Sequence, residues 1–258
     1  MRRCVLCFLS LLVGILAGCG GDSTDTTTGG DAGGPLVVSA ASSLTQAFEQ
    51  YGRQFDDGQV RFSFAGSDEL AAQIRQGVKP DVFASANTRL PEDLHREGLV
   101  GPPRTFAANR LVLAVPAGGS AIASLDDLGR PGVTIAVGSP TVPIGAYTRQ
   151  VLDRLPAAQR DAILANVRSE EPDVKGIVGK LTQGAVDAGF VYVTDVAATR
   201  GALKAIELPA ALKPSAAYAV AVVEGAKHPV AAGRFIDGLV RGPGQDALRA
   251  AGFALAPR

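Results

Sequence analysis

From Leu36 onward the chain alternates short apolar runs with segments of helical period. The runs fall at residues 36–40, 60–65, 82–86, 111–115, 133–137, 189–193 and 218–223. Most are continuously apolar, which predicts strands covered on both faces. Helical spacing connects Leu44, Ala47, Phe48, Tyr51 and Phe55, then Leu70 and Ile74, and later residues 147–155, 177–181, 230–240 and 245–250. Strand–helix–strand alternation predicts an α/β fold with mostly parallel sheets flanked by helices. Three strands precede residue 90. A second set opens at Ser124-Leu125-Asp126-Asp127-Leu128 and runs to about residue 213. The run at 218–223 and the last two helices have no sheet of their own and fit back onto the first set. That predicts a hinged, two-lobed clamp: lobe I from 36–114 and 218–258, lobe II from 115–217.

The first 35 residues follow a different pattern. Arg2 and Arg3 precede an apolar run from Cys4 to Leu16, which ends in Leu16-Ala17-Gly18-Cys19. The run is short for a membrane span and suits a signal-peptide core. Small residues just before a cysteine resemble a bacterial lipobox. Residues 1–18 therefore read as a lipoprotein signal peptide, with Cys19 as the lipidated residue. Residues 20–35 are low-complexity, Gly/Thr/Asp-rich, and would span on the order of 20 Å as a flexible tether. The expected location is extracytoplasmic, with the body held at the membrane by the lipid.

Composition narrows the chemistry. Lys and Arg number 25 and Asp and Glu 25, so the formal net charge is zero, falling to −2 without Arg2 and Arg3. Such a balance argues against a nucleic-acid partner and against long-range steering of an anion. Any anion site must be local. Cys4, Cys7 and Cys19 all precede the body, which therefore has no disulfide, thiolate or Cys-ligated metal site. His95 and His228 are far apart and read as exposed. No His-x-x-x-His, Gly-x-Ser-x-Gly or Walker loop occurs.

The strand-to-helix junctions are where an open α/β sheet binds ligands, and helix N-termini there offer free N–H groups to anions. Five junctions stand out. Ser43 with Gln46 has capping-box spacing after the first strand. Gly66-Ser67-Asp68-Glu69 repeats a serine at a strand end. Pro140 and Pro143 fix the loop before Ile144-Gly145, whose amides fall in a first helical turn. Asp173 reads as an N-cap with Val174 at N1. Tyr192 lies inside an apolar run, where its hydroxyl needs a partner or a ligand. Each residue also has a purely structural reading, as a cap or as core.

Taken together and in order, Val38-Ser39-Ala40-Ala41-Ser42-Ser43-Leu44, Phe64-Ala65-Gly66-Ser67, residues 81–86, Ala136-Val137-Gly138 with Val142-Pro143-Ile144-Gly145, Asp173-Val174 and residues 190–195 resemble the molybdate-binding proteins of ABC importers, the ModA family. The resemblance runs from Leu36 to the C-terminus. It implies a type II periplasmic binding protein fold that closes over a tetrahedral oxyanion, and no enzymatic activity. The ligand would be held by the side chains and amides of Ser43 and Ser67, the amides of Ile144 and Val174, and the Tyr192 hydroxyl. Molybdenum would enter only as the oxyanion, with no resident cofactor. The implied partners are an ABC permease and, through Cys19, the membrane; the expected state is a monomer.

A donor-only ring suits molybdate, an unprotonated dianion at neutral pH. It disfavours hydrogen phosphate, whose proton would face another donor. Sulfate would differ only in size, and tungstate hardly at all. The sequence departs from the family pattern at Asp68, where a small uncharged residue is expected; a carboxylate turned into the cleft would accept a phosphate proton. The Thr141–Pro143 segment is one residue shorter than the family form, leaving the Ile144 position open by one. Three alternatives stay open: a receptor for sulfate, phosphate or another small anion; a lipid-anchored hydrolase or transferase using Ser43 or Ser67; and a sensor of the same fold that docks on a signalling protein.

Overall fold

The structure, a computed structural model, describes residues 33–256. The expected signal peptide, Cys19 and most of the tether lie outside the described residues. In chain order the elements are β1 (Leu36–Ala41), α1 (Thr45–Gly52), β2 (Val60–Ala65), α2 (Ser67–Arg75), β3 (Val82–Ser85), α3 (Arg89–Arg96), β4 (Arg104–Pro116), β5 (Ile135–Gly138), α4 (Pro143–Leu152), α5 (Ala157–Ala165), β6 (Val167–Glu171), α6 (Val174–Thr182), β7 (Ala188–Tyr192), α7 (Val193–Ala198), β8 (Leu203–Glu207), β9 (Ser215–Val222), α8 (Pro229–Arg241), α9 (Pro243–Ala250) and β10 (Ala254–Leu255). A 3-10 turn at Ser42–Leu44 joins β1 to α1.

The strands order as β2-β1-β3-β9-β4-β7-β5-β6, with β8 and β10 also on β4. Parallel pairing occupies both flanks, β1 with β2 and β3, and β5 with β6 and β7. The centre is antiparallel, because β9 returns to pair with β3 and β4. The thirteen-residue β4 is the seam. Its Arg104–Arg110 stretch pairs with β9, and Leu111–Pro116 pairs with β7 and β8. One strand thus carries both halves of the molecule. Phe235 of α8 meets Phe48, Tyr51 and Phe55 at 4.7–5.7 Å between ring centroids.

The apolar pattern finds the buried strands and the alternating β2, and misses β6 and β8. β3, β5 and β7 are buried at every position. β6 (VRSEE) and β8 (LKAIE) are half-exposed and polar, so they carry no continuous run. α3 and α5 are short surface helices, and α5 buries only Ile163 fully. Val193 leaves the strand expected at 189–193 and opens α7, because the Asp195 carboxylate accepts the Tyr192 N–H and turns the chain.

One histidine corrects the expectation. His95 is exposed, but His228 is buried against Asp81. Asp81 Oδ1 accepts the His228 backbone N–H at 2.8 Å, and Oδ2 accepts from Val37 N at 2.8 Å and lies 3.0 Å from His228 Nδ1. The carboxylate therefore ties β1, β3 and the start of α8 together. Burial pushes its pKa up, but these bonds outweigh burial and hold it below the usual carboxylate value. A depressed pKa contributes stability present above the unfolded value and lost as pH falls through the folded one. Asp81→Ala leaves buried donors unpaired and should cost about 3 kcal/mol, read as a midpoint lowered in chemical denaturation.

Candidate functional site

Two sheet edges meet at the site, each built the same way. In the first half, β1 and β2 run parallel and level, with Ala41 opposite Ala65, and β3 lies on the other side of β1. Their carboxyl ends therefore finish side by side. After β1 the chain enters the Ser42–Leu44 turn, and after β2 Gly66 caps α2 with Ser67 at its first position. The capping box expected at Ser43 does not form. Helix α1 starts later, at Thr45, and Ser43 Oγ pairs instead with the Tyr218 hydroxyl of β9 at 2.9 Å. Ser67 Oγ accepts the Ala86 N–H at 3.1 Å just past β3. That bond occupies a lone pair and leaves the Ser67 proton free to donate elsewhere.

In the second half, β5 and β6 end together, with Gly138 opposite Glu171. The loop after β5 runs into α4 with Pro143 at N1, so Ile144 and Gly145 carry the first free amides. Gly145 is required there: a Cβ would sit 1.9 Å from the Ser139 carbonyl oxygen. Asp173 caps α6, its Oδ1 accepting the Gly176 N–H at 3.0 Å, which leaves the Val174 amide uncommitted in the first turn. Tyr192 is the last residue of β7.

All five expected residues, Ser43, Ser67, Ile144, Val174 and Tyr192, line one cavity between the halves, with about 20 Å³ of space open to water. That is far smaller than a pocket for an organic ligand, roughly 300–1,000 Å³. No Lys, Arg or His lines it. Tyr192 is 1% exposed, and its hydroxyl is buried with no hydrogen-bond partner. Its ring packs against Tyr218 at 5.9 Å and Tyr147 at 6.5 Å. Burial first, then the neighbouring Tyr218, Tyr147 and Asp195, hold the Tyr192 pKa well above its ordinary value. Burial likewise raises Tyr218, and pushes Tyr147 up to about 12. Each hydroxyl keeps its proton at neutral pH, so Tyr192 is a donor in the cavity wall, with the Tyr218 hydroxyl on its other side.

The halves touch at Gly66. A Cβ there would meet the Pro172 carbonyl oxygen at 2.5 Å and Val142 Cγ1 at 3.5 Å. Asp68 does not line the cavity: it is half-buried above Gly66, with Oδ1 buried and without a hydrogen-bond partner. The carboxylate that does line the cavity is Asp173, already engaged as the α6 cap.

Two supporting residues escaped the reading of the chain. Tyr218 backs Ser43, and Asn109 of β4 donates to Thr194 Oγ1 at 2.8 Å behind Tyr192. Tyr218 carries the same signal as Tyr192, a tyrosine inside an apolar strand; Asn109 carries none.

Comparison with known proteins follows this geometry. A model of the family described as bacterial extracellular solute-binding protein matches residues 36–254. The molybdate-binding protein ModA of Mycobacterium tuberculosis is 37% identical over 253 residues, covering 95% of each chain. Among solved structures, the periplasmic molybdate-binding protein of Azotobacter vinelandii superposes with a TM-score of 0.77 at 24% identity, over 86% of this chain and all of that one. The sulfate-binding protein SubI of M. tuberculosis gives 0.73 at 18% identity, over 85% and 86%. At those identities the two structures speak for a type II binding-protein fold, which holds more than one kind of oxyanion.

Proposed function

The chain belongs to the ModA family of bacterial extracellular solute-binding proteins, and on that premise we propose that it captures molybdate outside the cytoplasm and delivers it to an ABC permease. The observation that carries this reading is the Tyr192 hydroxyl, buried without a partner in the wall of a small cavity that no cation lines. A buried donor costs free energy unless something accepts from it. A dianion held between Ser43, Ser67, the Ile144 and Val174 amides and Tyr192 would accept from all of them. Ser43 and Ser67 belong to lobe I (36–114 and 218–258) and the other three to lobe II (115–217), so the ligand bridges the lobes and favours the closed form. Tungstate, nearly the same size, should bind comparably. Cys19 is the proposed lipid anchor, and the body acts as a monomer.

Two features support molybdate over hydrogen phosphate. Asp68 stands outside the cavity lining, and Asp173 already accepts the Gly176 N–H through one oxygen. The hydrolase reading finds no histidine base: Ser43 pairs with a tyrosine, Ser67 with a backbone amide, and neither histidine lines the cavity.

The test is the thermal midpoint with each oxyanion. A ligand at about 100 times its dissociation constant should stabilise the fold by about 2.7 kcal/mol. The midpoint should rise with molybdate and tungstate and stay put with sulfate and phosphate. A rise with sulfate or phosphate alone would reassign the ligand. No rise with any of the four would remove the receptor reading.

A further inference from the structure

One titratable group lies behind the anion site and has no part in holding the ligand. Asp195 heads α7, is 6% exposed, and accepts the Tyr192 backbone N–H through Oδ2 at 3.1 Å. Among the described residues no Lys, Arg or His forms an ion pair with it within 4.0 Å. The groups facing it are Tyr192 from β7, Tyr218 from β9, and Asp173 and Lys175 at the start of α6. β4 and β8 also pack on α7, and their charged residues Arg110, Lys204 and Glu207 are exposed, with Arg110 paired to Glu207. The two tyrosines are neutral. Asp173 is a second negative charge, and Lys175, the cation that acts on Asp195, is exposed to solvent. A dianion against Tyr192 and Val174 would thus add two negative charges beside two carboxylates, in a water-poor pocket with one screened ammonium to oppose them. Buried like charges are the arrangement that protonation relieves most effectively.

We propose that Asp195 is the charge-balancing residue of the oxyanion site: as the dianion is seated, the Asp195 carboxyl takes one proton from solvent, and it returns that proton on release. This rests on the receptor reading above. Burial already lifts the carboxyl to about 7, with the Tyr192 N–H and Lys175 pulling it down and Asp173 pushing it up. Below pH 7 the free protein already carries the proton, and affinity is flat. Above pH 7 the free protein has lost it and the complex retains it. Affinity then falls as pH rises, by up to tenfold per unit. Protonation leaves one carboxyl oxygen able to accept the Tyr192 N–H, so the tyrosine stays in place while the local charge drops.

The experiment is calorimetric titration of the full chain with molybdate at pH 8 in two buffers of different ionisation enthalpy. Close to one proton should be taken up per molybdate bound, and the dissociation constant should rise about 20-fold between pH 6.5 and 8.5. Asp195→Asn keeps an acceptor for Tyr192 N–H. It should bind with no net proton uptake and a flat pH profile, which a merely structural role would not produce. Lys175→Gln removes the opposing cation and should move the onset of the pH dependence upward, a readout that survives if Asp195→Asn does not fold. Binding without proton uptake in the wild type, uptake that persists in Asp195→Asn, or an unmoved onset in Lys175→Gln would overturn the proposal and leave the receptor reading intact. Absence of binding to molybdate, tungstate, sulfate and phosphate at every pH would sink both.

Discussion

Gly66→Ala should weaken molybdate binding by about 10²- to 10⁴-fold without unfolding the protein. The Gly66 backbone sits at φ −60°, ψ 137°, a conformation any residue adopts, so alanine adds no strain within lobe I. The new methyl is obstructed across the cleft. It would stand 2.5 Å from the Pro172 carbonyl oxygen, a backbone atom that cannot swing aside, and 3.0 Å from Asp68 Oδ1, which can. The closed form must open by the better part of an ångström. The donors of lobe II are then drawn away from an anion seated on Ser43 and Ser67. Losing two of those three charge-assisted hydrogen bonds, at about 1.5–3 kcal/mol each, gives the stated range. The loss should fall mainly on the dissociation rate, because encounter with the open form is untouched. Gly233→Ala in α8, where a Cβ meets nothing within 4 Å, is the control and should leave affinity alone. If Gly66→Ala binds as tightly as the wild type, closure against Pro172 is not part of capture.

Which residues the chain disclosed, and which it withheld, follows from what each one touches. Ser67, Val174 and Tyr192 are legible from local signals: a serine after the strand-end Gly66, an Asp173 cap before Val174, and a tyrosine inside an apolar run. Gly66 was legible as a glycine before a helix, but its function was not: the Pro172 oxygen that demands it lies more than 100 positions away and in the other half. Ser43 shows the same limit from the other side. Its spacing to Gln46 satisfies a local capping rule, yet its hydroxyl goes to Tyr218, 175 residues on, because the returning β9 lies beside β3 and β4. Asp68 is absent from the cavity lining, yet its Oδ1 is buried beside Gly66 at the contact between the halves, a placement no local pattern shows. His228 read as a surface residue near a helix end, and Asp81 buries it. The polar edge strand β6 is silent because VRSEE has one apolar residue, whereas the half-exposed β2 shows through its alternating VRFSFA. Periodicity reports burial along one segment; it says nothing about which segment covers it.

Tyr192→Phe should weaken molybdate binding by about 10- to 150-fold and, without ligand, should leave the protein at least as stable as the wild type. The two halves of that statement come from one observation. The hydroxyl is buried with no acceptor in the chain, so removing it deletes an unmet desolvation cost of about 1–3 kcal/mol and breaks no bond within the fold. The ring, which packs on Tyr147 and Tyr218, is retained. With the dianion in place the same hydroxyl becomes a charge-assisted donor, and its loss costs about 1.5–3 kcal/mol of binding. Affinity and stability therefore move in opposite directions, as expected of a group kept for a ligand. Ser67→Ala should behave differently, because Ser67 Oγ also accepts the Ala86 N–H; that variant loses affinity and stability together. Denaturation midpoints with and without molybdate on the two variants make the comparison. A Tyr192→Phe protein that is less stable and binds normally would make Tyr192 a core residue, and the anion would have to find its lobe II donors among the amides of α4 and α6 alone.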